Sequence, residues 1–328
     1  MMKGFKRLLP LALALSLLLP GCAQAGGAPS SPQEVYIQPV PLEGIVIEDE
    51  AVALSNAPAA VNELLLPVAS GAAVETKGDV RIDYSNIADG YVMVQCGASG
   101  TKKIKVQVTG PSTTYTYDLP ASDWVTFPLS DGSGSYKVTA LENTQGSKYA
   151  VLVSASFQVT LKDEFAPFIR PNQYVNYANA ENTIRKAEQL AGKEEDSLKK
   201  VEKIYSFVVN HLSYDTAKAA AVKSGYLPVL DDVLEAKQGI CFDYASLMAG
   251  MLRSQGVPCK LVVGYAGTNY HAWISVWTEE AGWLDGVIFF DGAAWQRMDP
   301  TFASSGKGSE AVMKYIGDGT NYTAKYLY

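Results

Sequence analysis

Three residues of this 328-residue chain could together carry out nucleophilic acyl transfer: Cys241 in the stretch GICFDYA, His271 in HAW and Asp299 in DPT. They follow one another at intervals of about thirty residues. A thiol attacks, an imidazole carries the proton and a carboxylate orients the imidazole, each within roughly 3 Å of the next. With only two histidines in the chain, order alone says little, so the local settings have to carry the reading.

Those settings are the elements that must hold the three groups. After Cys241, the apolar residues Tyr244, Leu247, Met248, Met251 and Leu252 recur at helical spacing until Gly256 and Pro258, which predicts a helix beginning at Cys241. Unpaired N–H groups and the positive end of the helix dipole stabilise a thiolate there. Asp243, in the same first turn, suits the dipole but opposes the thiolate, so a neighbouring imidazolium is expected to be needed. His271 opens the apolar run Ala272, Trp273, Ile274, Val276, Trp277, after the turn signals Gly267, Thr268 and Asn269, and predicts the end of a buried strand. Asp299 falls where an aromatic segment from Trp295 meets Pro300, which cannot continue a ladder and marks a strand's last residue.

The region resembles the transglutaminase-like superfamily of papain-like thiol acyltransferases and proteases. Matching residues are Gly239, Cys241, Asp243, Tyr244 and Ala245; the LRxxGVP run of Leu252, Arg253, Gly256, Val257 and Pro258; Gly264 and Tyr265; His271, Ala272 and Trp273; then Trp295, Asp299, Pro300 and Thr301. The resemblance runs from about Tyr214 to Phe302. It implies Cys241 as nucleophile, His271 as general acid and base and Asp299 as orienter. The segment between Trp277 and Trp295 is longer than a simple hairpin, so the rim of the site is expected to be elaborated. An oxyanion would be held by the backbone N–H of Cys241, with Gln238 or Tyr214 as candidates for a second donor. Water resolving a thioester makes a peptidase or amidase, and a second amine makes a cross-linking transglutaminase. A non-catalytic surface protein that holds peptides on the same fold is the alternative.

The fold class expected is α+β, a papain-like transglutaminase-like domain at 166–328 preceded by an all-β, immunoglobulin-like sandwich at 79–165. In the sandwich, short alternating runs (Tyr91 to Cys96, Ile104 to Val108, Tyr115 to Leu119, Tyr136 to Leu141, Tyr149 to Leu161) are divided by Gly, Pro, Ser and Asp clusters. In the second domain, Glu194 to Leu212 carries an apolar face and predicts an amphipathic helix beside that of Cys241, with His211 complementing the dipole of its last turn. The C-terminal tyrosines Tyr315, Tyr322, Tyr326 and Tyr328 are expected in core or edge packing.

Residues 1–22 combine Lys3, Lys6 and Arg7 with an apolar run from Leu8 to Leu19, a secretory signal too short to span a bilayer. Leu19-Pro20-Gly21-Cys22 resembles a bacterial lipoprotein box that would lipidate Cys22 and anchor the chain at the outer side of a membrane; cleavage by an ordinary signal peptidase just beyond it is the alternative. An Ala-, Pro-, Ser- and Glu-rich stretch at 23–78 reads as a tether. Loss of the signal takes the formal charge from −7 to about −10, with no basic cluster, which argues against nucleic acid as a partner. The expected partner is a peptide or protein, such as one associated with the cell wall. Of the remaining cysteines, Cys96 and Cys259 read as buried small hydrophobes on strands, and an odd total leaves at least one thiol free. Two histidines and scattered cysteines offer no metal-ligand spacing, Asp285-Gly286 and Asp291-Gly292 are turn signals without a calcium-ligand series, and no cofactor is expected.

Overall fold

Alternation of apolar and polar residues builds the first half of the chain as strands. A computed structural model describes residues 64–97, 102–120, 122–279, 282–285, 288–290, 295–297 and 321–328. Strands β1 (Val74–Lys77), β2 (Val80–Asp83), β3 (Tyr91–Cys96) and β6 (Ser122–Pro128) form one antiparallel sheet in the order β1-β2-β3-β6. Strands β4 (Ile104–Thr109), β5 (Thr114–Leu119), β7 (Gly134–Gln145) and β8 (Lys148–Val159) form a second in the order β5-β4-β7-β8. In β5 the threonines and Asp118 are exposed while Tyr115, Tyr117 and Leu119 are buried, the period-2 pattern of a strand with one face on a core.

One expectation is corrected here, and one strand is added. Residues 64–77, read as tether, belong to this β-rich body: the Val68 N–H donates to Tyr91 Oη at 3.1 Å, and β1 pairs with β2. Strand β6 is not among the alternating runs read from the sequence; Pro128 closes it, opposite Tyr91, with Phe127 wholly buried beside it.

The second half mixes helices and strands. Helices α1 (Glu181–Ala191) and α2 (Ser197–His211) are followed by β9 (Ser213–Tyr214), α3 (Thr216–Ala221), α4 (Leu230–Ala236), β10 (Gln238–Gly239) and α5 (Cys241–Ser254). Strands β11 (Cys259–Ala266), β12 (Asn269–Thr278), β13 (Gly282–Asp285), β14 (Ile288–Phe290), β15 (Trp295–Arg297) and β16 (Tyr322–Leu327) complete it; four make an antiparallel sheet in the order β13-β12-β11-β16, and β14 pairs with β15. Helix α2 begins later than expected, because the Asp196 carboxylate caps the N–H groups of Leu198 and Lys199 and so sets the start. Its last-turn His211 places Nε2 at 2.8 Å from the Leu234 carbonyl and stacks on Phe207.

From Asp243 to Ser254 every residue of α5 is buried, the sign of a central helix walled on all sides. Helices α1, α2 and α4 pack on it, and β11 and β12 lie on its other flank. It ends at Gly256, whose φ of 76° takes the left-handed turn that lets the Val257 N–H reach back to the Leu252 carbonyl at 3.0 Å. Arg253, 2 % exposed, donates to the carbonyls of Cys259, Arg170 and Tyr328 at 2.6 to 2.8 Å. Arg170 in turn donates to the Asp89 carbonyl at 3.1 Å, so the helix end, the sheet and the β-rich body are tied through two guanidinium groups in series. Tyr115 and Tyr117 of β5 meet Tyr328 edge-on at ring-centroid distances of 5.7 and 5.8 Å, joining the two halves in one aromatic cluster.

Candidate active site

Cys241 is the first residue of α5, and a carboxylate makes that helix start where it does. Ile240 is extended and has no side-chain cap to offer, so Asp243 reaches back and accepts its N–H at 2.8 Å. Gly239 permits this: a Cβ there would lie 2.6 Å from the Asp243 Cβ. Just upstream, the left-handed Lys237 (φ 54°) turns the chain out of α4 and into β10, whose parallel pairing with β9 brings Tyr214 beside the turn.

The buried Asp243 carboxylate also accepts from Lys218 Nζ at 2.7 Å and from Tyr226 Oη at 2.5 Å. The negative charge at Asp243 is therefore paired with a cation. Burial works against the Lys218 cation, but its bonds to Asp243 and Tyr226 win and raise its pKa. Burial first, then the bond to Asp243, push the Tyr226 phenol up to about 12.

His271 is the third residue of β12 rather than its end, opposite Gly264 of β11, and is 7 % exposed. Its ring lies 6.2 Å from Trp273 and 6.3 Å from Tyr322 of β16. A side chain at position 264 would collide with the Thr323 carbonyl at 2.0 Å and with Trp273 at 2.9 Å, so glycine there allows β16 to close over the histidine's strand. Cys241 and His271 line a single cavity of about 570 Å³. Tyr214, Tyr270 and Tyr226 line it too, and Lys105, Thr116 and Asp118 come into it from the β-rich body.

Residues 184–300 match the family model described as "Transglutaminase-like superfamily". These residues are a transglutaminase-like domain. The curated Protein-glutamine gamma-glutamyltransferase of Pseudomonas aeruginosa is 39 % identical over 70 residues, which are 17 % of this chain and 10 % of that protein. The uncharacterized protein YebA of Bacillus subtilis is 28 % identical over 93 residues, 23 % of this chain and 13 % of its own. The chain thus spans about a tenth of the length of the curated relatives it matches. Among solved structures, the periplasmic domain of TgpA from Pseudomonas aeruginosa, bound to ethylmercury, aligns over 70 % of this chain and 75 % of that one, at 18 % identity and a TM-score of 0.32. Red sea bream transglutaminase aligns over 69 % and 53 %, at 13 % identity and a TM-score of 0.28.

Within the transglutaminase-like domain, Cys241, His271 and Tyr214 come together at the cavity, whereas Gln238 is exposed on β10 and does not line it. Asp299 and Cys22 lie outside the described residues. The other two thiols are core residues: Cys259 is fully buried and burial raises it to about 12, and Cys96 is raised by burial and by the nearby Asp79 and Glu142. Among the described residues, no cluster of three His, Cys, Asp or Glu could hold a metal ion. Sequence reasoning missed Lys218 and Tyr226, which stand 25 and 17 residues from Asp243 with no motif linking them. It also missed Tyr270, for which adjacency to His271 was the available signal.

Proposed function

We propose that this chain is an extracytoplasmic thiol enzyme acting on amide bonds of peptides or proteins, with Cys241 as nucleophile, His271 as proton carrier and Asp299 as orienter. The observation that carries this is the half-buried Cys241 at the N-terminus of a buried helix, sharing one cavity with the one histidine that the resemblance marks. Cys241 Sγ forms a bond to the amide carbonyl carbon, the tetrahedral oxyanion is met by the Cys241 N–H, and the C–N bond breaks as His271 gives its proton to the leaving amine. Water or a second amine then attacks the thioester carbonyl, His271 takes a proton from it, and the thiol is released. The histidine's burial among Trp273 and Tyr322 suits a ring held in one orientation.

A location outside the cytoplasm agrees with the basic and then apolar residues 1–22. In this reading Cys22 carries the lipid, the tether follows, and the β-rich body is the sandwich domain that faces substrate. No helix among the described residues is long and apolar enough to cross a membrane. Mass spectrometry of a peptide mixture incubated with wild type and with Cys241→Ala tests the proposal: cleavage, deamidation or cross-links are expected with wild type alone. If iodoacetamide labels Cys241 no faster than Cys96 and Cys259, the enzyme reading is abandoned for a peptide-holding scaffold.

A further inference from the structure

Among the described residues, strand β5 lies at the edge of its sheet and pairs only with β4. Two hydrogen bonds fix which of its backbone groups face outward. The Asn143 N–H donates to the Lys103 carbonyl at 2.9 Å, so odd-numbered residues of β4 turn their backbone groups to β7 and even-numbered ones turn theirs to β5. The Gly110 N–H donates to the Thr113 carbonyl at 2.9 Å and extends the same alternation across the hairpin. Tyr115, Tyr117 and Leu119 therefore bond to β4, while the N–H and C=O of Thr114, Thr116 and Asp118 point away from the sheet. The Asp118 carbonyl accepts from Gln173 Nε2 at 2.7 Å, which agrees with that direction. Among the described residues, the outward backbone groups of Thr116 and the N–H of Asp118 make no hydrogen bond.

This open ladder is not on a remote surface. Thr116 and Asp118 line the same cavity as Cys241 and His271, and the loop around Gly225 faces them, with a Cβ on Gly225 falling 3.5 Å from Asp118 Oδ2. An unpaired strand edge is a template for another extended chain. Natural proteins blunt such edges with charge, proline or a covering element; here Asp118 supplies a charge and Gln173 covers its carbonyl, while Thr116 is left open and lines the cavity that Cys241 lines.

We propose that the polypeptide substrate binds as an added strand on β5, pairing with the backbone N–H and C=O of Thr116 and the N–H of Asp118, so that an adjoining residue of the substrate delivers its amide to Cys241. The inference rests on the enzyme reading above and makes the β-rich body part of the substrate site. Main-chain pairing gives affinity with little dependence on side chains, so the favoured substrates are unstructured or extended segments, and proline at the paired positions excludes them. The Lys105–Asp118 ion pair, 2.7 Å long, includes one of the paired positions and is placed to sort substrate side chains by charge.

Thr116→Pro removes the outward N–H, and proline is tolerated on an edge strand whose N–H does not enter the ladder. The probe is an unstructured, fluorescein-labelled peptide containing glutamine, compared with the same peptide N-methylated at alternate backbone amides. KM for the parent peptide is expected to rise about tenfold or more in Thr116→Pro, with kcat changed far less and the melting temperature held. N-methylation of the peptide should weaken its binding to Cys241→Ala, read by fluorescence anisotropy, by a similar factor, and this arm stands even if the proline variant does not fold. Equal KM values in wild type and Thr116→Pro, with N-methylated and parent peptides bound alike, overturn strand addition while leaving Cys241-dependent turnover intact. Loss of turnover in wild type, with parent peptide still bound and N-methylated peptide not, would instead sink the enzyme reading and keep the strand.

Discussion

The two ends of helix α5 carry opposite designs within one element. At its start a half-buried thiol opens onto a cavity, and the charges behind it are arranged in a chain of Asp243, Lys218 and Tyr226. At its end a buried guanidinium has no carboxylate partner among the described residues and is satisfied by backbone carbonyls alone. The first end keeps a reactive atom accessible; the second spends its polarity on holding separate segments together. Burial pulls Arg253 down to about 10, still protonated at neutral pH, so the tie persists through the working range.

The contrast can be broken or sharpened by experiment. Cys241→Ala should lower turnover by about 10⁴-fold or more in a peptide assay while leaving the denaturation midpoint nearly unmoved, since a removed nucleophile costs rate and not packing. Arg253→Met should do the reverse, costing about 3–5 kcal/mol in urea denaturation by leaving carbonyls of three segments unpaired. If Arg253→Met unfolds no more easily than wild type, the tie at the far end is not a tie. Lys218→Met strands a buried carboxylate and should cost about 2–3 kcal/mol at neutral pH, together with a fall in Cys241 alkylation rate.

The same cluster has a pH signature. Lys218 and Tyr226 both have folded pKa values raised above their ordinary ones, so the folded state keeps protons that the unfolded chain has released. The Tyr226 contribution is fully present below about pH 10 and is lost as pH rises through about 12, and Tyr226→Phe should flatten that part of a stability–pH curve. The smallest effect expected is at Lys237: its left-handed backbone (φ 54°) favours glycine, and Lys237→Gly should stabilise the protein by up to about 1 kcal/mol in thermal melts.

What the sequence revealed and what it hid divide along the same physical line. Local patterns were legible: the helix from Cys241, the strand through His271 and the β runs from Tyr91 onward all follow from spacing and from flanking glycines and prolines. The candidate thiol and imidazole were legible because each sits in a short run with its own signature. Long-range pairings were not, because nothing in one sequence couples Lys218 to Asp243, Thr116 to Cys241 or Arg253 to Arg170. Strand β6 escaped because Pro120 before it and Pro128 at its end look the same at a strand's margins as in a loop.

The Arg253 tie has a mechanical consequence. A helix clamped at its far end to a sheet, to the segment around Arg170 and to the last residue of the chain can neither slide along its axis nor roll without breaking several bonds at once. The sulfur at the other end is then a fixed reference point, and any adjustment to an arriving chain has to be made by the walls of the cleft.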